Sequence, residues 1–206
     1  MAETTSKKSL GVVLFNDFEL LDVYGPVEMF GNLKDQLDLV MVAEAAGEVR
    51  SFQGPKVVAD HGFEDCPHLD YLLLPGGMGT RKEVENPVML GFLQGRSAQA
   101  EIVMTVCTGS GLLARAGLLD GKRATSNKKS FKWASSQGSK VKWVKEARWV
   151  DDGNRVTSSG VSAGIDMALA VIARLYGQET ADRLAIYTEY EWHRDATWDP
   201  FAKLWE

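Results

Sequence analysis

The stretch "MTVCTGSGLLARAGLL", residues 104–119, passes from an apolar β-type run to a helical run with almost no spacer, and Cys107 sits at the join. Thr108, Gly109, Ser110 and Gly111 follow it, small enough for the sharp strand–nucleophile–helix turn that exposes a reactive side chain. A thiol there would lie beside unpaired amide N–H groups and the positive end of a helix dipole. Both favour thiolate and draw a cysteine pKa below about 8.5. The competing reading is a buried cysteine acting as a small hydrophobe. Local sequence leaves both open.

Two further segments carry candidate chemistry. In "LLLPGGMG", Gly76 and Gly77 follow an apolar run, where bare amides could form an oxyanion hole or a substrate cradle. The plain alternative is a tight turn. In "ELLDVYGP", Asp22 stands between Leu21 and Val23, an apolar setting for a carboxylate. Partial burial would raise its pKa and let it donate a proton near neutrality. Otherwise it is a helix N-terminal acid satisfying backbone amides. Asp17 and Glu19 are better placed for solvent.

These segments must be held by regular elements. Apolar β-type runs at 9–15, 37–43, 71–75 and 101–106 predict buried strands. The run 49–60 predicts a small hairpin around Gly54-Pro55, and 141–160 a second with its turn at Asp152-Gly153. Gly25-Pro26 predicts a helix beginning about Pro26. Asn86 as N-cap and Pro87 at the first helical position start another over 86–99. Helices are expected from Ser110, over 163–177 with Gly177 past the end, and over 178–192. The alternation predicts one α/β domain over 1–206 with a mostly parallel sheet covered on both faces, a polar lead over 1–8 and an aromatic tail over 191–206. Ligands bind such sheets beyond the carboxyl ends of the strands, where "NDFELLD", "GGMGT" and "CTGSG" fall.

With 206 residues, 45% hydrophobic and 25% charged, the chain has an ordinary globular composition. A net charge of −5 and no lysine-rich stripe argue against nucleic acid. Lys128, Lys129, Lys132, Lys140, Lys142 and Lys145 are expected on solvated faces. No apolar run approaches the ~18 residues of a membrane span, and the N-terminus lacks a signal-type apolar region. The two cysteines, Cys66 and Cys107, form neither a disulfide framework nor a metal spacing, so a cytoplasmic protein without metal is expected. Cys66, before Pro67 and a buried strand, is expected to be structural.

Four pieces, "LLDVYGPVEMF", "DCPHLDYLLLPGGMG", "VCTGSGLLARAGLLDGKRAT" and "VTSSGVSAGIDMALAVIA", occur in order along the chain. Together they resemble the ThiJ/PfpI superfamily, and within it the isonitrile hydratase branch. The resemblance implies a flavodoxin-like three-layer α/β sandwich, a homodimer, and a cysteine on a nucleophile elbow. By motif, Cys107 corresponds to the nucleophile and Asp22 to its acidic partner. Thr108 in "CTGS" is similar to the hydratase branch, whereas protease-like members commonly carry "CHG". Gly77 resembles the amide-donating glycine of the "PGG" turn, and "GVSAG", with Gly160 and Val161, would line the site from a helix start. One departure is "ATSNK", with Asn127 where hydratases often have histidine. His61, His68 and His193 offer no partner for a cysteine–histidine dyad. The tail "EYEWHRDATWDPF" also departs from the branch; Trp192, Trp198 and Phe201 are expected to pack.

The resemblance implies cofactor-free hydration of isocyanides to N-formamides. The Cys107 thiolate would attack the terminal carbon, Asp22 would supply a proton, and water positioned by Asp22 or Thr108 would release the product. Alternatives are a glyoxalase- or deglycase-like activity on small 2-oxoaldehydes, or a redox or ligand sensor without turnover. The absence of a helix-turn-helix by residue 206 counts against a DNA-binding regulator.

Overall fold

In the computed structural model, which describes residues 7–205, the chain alternates strands and helices. In order they are β1 (Lys8–Val13), α1 (Leu20–Gly31), β2 (Leu37–Val42), β3 (Gly47–Arg50), β4 (Lys56–Ala59), β5 (Tyr71–Leu74) and α2 (Thr80–Glu83). Then come α3 (Pro87–Ser97), β6 (Ile102–Thr105), α4 (Gly109–Arg115), β7 (Arg123–Ala124), α5 (Phe131–Ser136) and β8 (Lys142–Trp143). The last are β9 (Trp149–Asp152), β10 (Arg155–Ser158), α6 (Ala163–Tyr176) and α7 (Gln178–Tyr187). Most of the expected polar lead lies outside the described residues, and Lys8 already opens β1.

Six strands form the central sheet in the order β2-β1-β5-β6-β10-β9. All neighbours run parallel except β9, which pairs antiparallel with β10. Every residue of β5, β6 and β10 is buried, which requires cover on both faces of the sheet. One helical group joins α1 to α6 and α6 to α7; the other joins α4 to α2, α3 and α5. This is the mostly parallel, doubly covered sheet expected from the alternation of elements and the flavodoxin-like sandwich implied by the resemblance, built around one continuous apolar core.

Local signals explain several elements. The Asn86 side chain accepts the amides of Val88 and Met89 at 3.0 and 3.4 Å, capping α3 with Pro87 in its first turn. The hairpin β3–β4 turns around Gly54, as expected.

Three expectations are corrected. Helix α1 starts at Leu20, not near Pro26, and carries Gly25 and Pro26 inside it. Gly25 serves close helix packing: a β-carbon there would lie 2.7 Å from Ile165 of α6. The hairpin expected over 141–160 is confined to β9 and β10, because β8 pairs instead with β7 in a separate two-stranded sheet. Helix α7 ends at Tyr187, where Glu189 takes a positive φ of 50° and the chain turns back toward α6.

Candidate active site

Strand β6 ends one residue before Val106, and α4 begins at Gly109, so Cys107 occupies the turn between them. Its φ is 56°, a left-handed conformation that costs a non-glycine residue about 1–2 kcal/mol. Three hydrogen bonds hold it there. Its amide donates to Ser159 O at 3.3 Å, and its carbonyl accepts the hydroxyls of Ser110 and Ser126 at 3.0 and 2.9 Å. The strained turn is fastened from its own helix, from the stretch after β7 and from the stretch after β10.

The other strand ends converge on this thiol. Asp22, in the first turn of α1, is completely buried and accepts the Gly76 amide on Oδ2 at 2.8 Å. Among the described residues, its Oδ1 has no partner of hydrogen-bond geometry. Burial pushes this carboxyl well above the ordinary carboxylate range, against the pull of the Gly76 amide and of the Cys107 thiol. Burial thus favours the protonated form of Asp22.

Burial also pushes the Cys107 thiol up, and the neighbouring Asp22 adds to the effect, while hydrogen bonds from Thr108 oppose it. The expected depression of the thiol is thus corrected: burial is the largest influence on it and raises it. Burial favours the neutral form of both Cys107 and Asp22.

The two glycine amides are engaged differently from expectation. Gly76 N–H is held by Asp22, and Gly77 N–H donates to Thr108 Oγ1 at 3.0 Å. Neither forms an open oxyanion hole; they lock the acid and the threonine in place. A β-carbon on Gly76 would lie 2.5 Å from Thr108 N and 2.9 Å from Cys107 Cβ, so the turn admits no side chain there. Thr108 is buried and also meets Thr80 Oγ1 at 3.2 Å.

Gly160 and Val161 do reach the site. A β-carbon on Gly160 would lie 2.9 Å from Cys107 Sγ and 2.3 Å from Asn127 Nδ2. Asn127, the residue of "ATSNK" that departs from the resemblance, thus stands across Gly160 from the sulfur, while its Oδ1 accepts the Ser130 amide at 3.0 Å. No histidine lines this pocket: His61 and His68 lie beside Asp65 and Asp70, and His193 belongs to the tail. Cys66 is buried and donates to Pro67 O at 3.4 Å, as expected of a structural thiol.

Cys107 opens into a pocket of about 350 Å³, walled by Gly77, Thr108, Asn127 and Val161 and by three charged residues, Glu19, Arg81 and Lys129. A second pocket of about 360 Å³ shares Asn127, Lys129 and Val161 and is walled by Leu21, Phe201 and Trp205. Two of the expected tail residues part ways here, since Phe201 lines this pocket whereas Trp192 packs against the core. Among the described residues, no group of three or more His, Cys, Asp or Glu side chains is placed to hold a metal ion. No helix is long and apolar enough to cross a membrane among those residues.

Sequence reasoning missed Arg81, Lys129 and Lys128. Arg81 directly follows the "GGMGT" segment, so its place at a strand end was a usable signal. Lys128, expected on a solvated face, is instead 3% exposed. Its ammonium donates to Thr125 Oγ1 at 3.0 Å and Ala147 O at 2.5 Å and lies 3.8 Å from Asp199.

A parallel-sheet sandwich with a cysteine on a positive-φ elbow, paired with a buried acid, defines the group to which these residues point. The chain belongs to the DJ-1/PfpI family, whose model matches residues 8–174. It is 38% identical over 181 residues to the isonitrile hydratase of Pseudomonas putida, covering 88% of this chain and 78% of that enzyme. It is also 29% identical over 195 residues to the HTH-type transcriptional regulator GbdR of Pseudomonas aeruginosa, covering 92% of this chain but only 52% of that regulator. Among solved structures, a ThiJ/PfpI family protein from Pseudomonas syringae superposes with a TM-score of 0.84 at 33% identity, over 91% of this chain and 77% of the other.

Proposed function

We propose that the protein hydrates isocyanides to N-formamides through a covalent adduct on Cys107, with Asp22 relaying protons and no cofactor taking part. The observation that carries this reading is the pairing of a fastened, positive-φ cysteine with a completely buried carboxyl whose Oδ1 is unengaged. Similarity to an isonitrile hydratase supports it.

The isocyanide carbon has a lone pair and is also electrophilic, so it takes up a nucleophile and a proton at one atom. The Asp22 carboxyl delivers its proton to that carbon while Cys107 sulfur bonds to it, and the thiol proton passes to the carboxyl. The product is a thioimidate, R–N=CH–S–Cys107, with the carboxyl again protonated. Water then adds to the same carbon, Asp22 protonating the nitrogen and accepting a proton from the water. Cleavage of the C–S bond returns the thiol and releases R–NH–CHO. Thr108, held by Gly77, fixes the floor on which this occurs.

The test is formation of N-formamide from an aromatic isocyanide by the wild type and by Cys107→Ala. Turnover by the wild type alone supports the reading; turnover by the variant removes it. A second reading, a ligand-sensing module without turnover, is favoured by the similarity to the GbdR regulator. It gains if isocyanide and methylglyoxal are both left unchanged.

A further inference from the structure

Two cations wall the Cys107 pocket. The Arg81 guanidinium is half-buried and anchored by neutral groups: Nη1 donates to Gly77 O at 3.1 Å and Thr80 Oγ1 at 3.0 Å, and Nη2 to Ser130 Oγ at 3.0 Å. It stands 4.1 Å over the Trp133 ring. Lys129 is exposed, and its ammonium lies 5.7 Å from the centre of the Trp205 ring. Among the described residues, no carboxylate pairs with either cation.

Two of the protein's buried cations have a carboxylate beside them, while a third, Arg155, is held by the carbonyls of Leu118, Asn154 and Ser97. Arg148 is matched by Asp166 at 2.6 Å, and Lys128 faces Asp199. What sets Arg81 apart is its place: a guanidinium held rigid by neutral groups and facing the pocket of the Cys107 sulfur keeps its charge available to a ligand anion. The pocket's own carboxylate, Glu19, is engaged by the Gln53 amide and is outnumbered by the two cations. Asp22 is completely buried and does not line the pocket.

We propose that Arg81 and Lys129 form an anion subsite, so that the substrate carries a carboxylate on the substituent attached to its reacting group. The inference rests on the reading of Cys107 as the reacting atom. Arg81 shares one pocket with the sulfur, and Lys129 borders both that pocket and the apolar one walled by Phe201 and Trp205. An apolar or aromatic spacer therefore fits between the reacting carbon and the carboxylate.

The test separates binding from turnover. Calorimetry would compare 4-formamidobenzoate with its methyl ester on the wild type, Arg81→Gln, Arg81→Lys and Lys129→Gln. The acid should bind the wild type about tenfold more tightly than the ester. The preference should shrink in Arg81→Gln and Lys129→Gln and return in part in Arg81→Lys, with added salt weakening the acid only. Equal affinities, no binding of either compound, or a preference unchanged in Arg81→Gln overturns the subsite. If the acid preference holds but 4-isocyanobenzoate is not turned over, the subsite stands and the hydratase reading falls. If neutral aryl isocyanides react and the acid shows no advantage, the hydratase reading stands and the subsite falls.

Discussion

Gly160 approaches Cys107 so closely that a β-carbon on it would sit 2.9 Å from the sulfur, and 2.3 Å from Asn127 Nδ2. Neither neighbour is free to yield: the sulfur rides on a turn fastened at both its amide and its carbonyl, and Asn127 is tied to Ser130. Gly160→Ala should therefore displace the sulfur, lowering kcat about a hundredfold while costing about 1–3 kcal/mol of stability. Steady-state kinetics together with a denaturant titration distinguish this from simple unfolding.

Asp22→Asn keeps the shape of the side chain and can still accept the Gly76 amide, but it can neither deliver nor collect a proton. Turnover should drop by about 10²–10⁴-fold. KM should change far less, because Asp22 lies beneath the pocket that takes the substituent. Normal kcat in this variant would remove the carboxyl from the reaction.

The same carboxyl leaves a mark on stability. Its folded pKa lies above the unfolded value of about 3.9, so the folded state binds the extra proton. By linkage its contribution is complete below about pH 4 and is lost as pH rises through the folded pKa. The wild type should lose stability relative to Asp22→Asn as pH is raised above 4. Parallel urea midpoints over that range for the two proteins would contradict the assignment.

Lys128 works in the opposite sense. Burial lowers its pKa to about 8, with Asp199 resisting the shift. Between pH 8 and the unfolded value of about 10.4 the unfolded chain holds more protons, so stability should rise with pH across that window. Lys128→Met should flatten this rise. Thermal melts from pH 7.5 to 10.5, taken as the difference between wild type and variant, would measure it.

Asp166 gathers Arg148 on Oδ2, and the Tyr190 hydroxyl and His193 amide on Oδ1, all within 3.0 Å. Asp166→Ala would leave a buried guanidinium without its acid, costing about 3–5 kcal/mol. It should also release the segment that carries Trp192 from the core. A red shift of tryptophan emission before global unfolding would report that release.

The sequence carried the sheet well where signals were local. The cap formed by Asn86 and Pro87, the turn before Asn154 and the elbow at Cys107 each needed only a few adjacent residues. What escaped depended on distant partners. Gly25-Pro26 reads as a helix break until Ile165 is brought against it, 140 positions away. The engagement of the Gly76 amide by Asp22 spans 54 residues, so two glycines that looked like open donors are in fact locks. Lys128 reads as a surface lysine because nothing nearby announces Asp199 or the Ala147 carbonyl. Helix polarity at Cys107 was legible, but the burial that overrides it was not.

The wall of the second pocket has a consequence for how this protein can diversify. Phe201 and Trp205 shape the space beside Lys129, whereas the elbow is fastened by Ser110, Ser126 and Ser159. The two pockets meet at Asn127, Lys129 and Val161, but Phe201 and Trp205 wall only the second and none of the three serines lines it. Randomising positions 201 and 205 alone should yield a panel of proteins with altered substituent tolerance on one unchanged reaction centre.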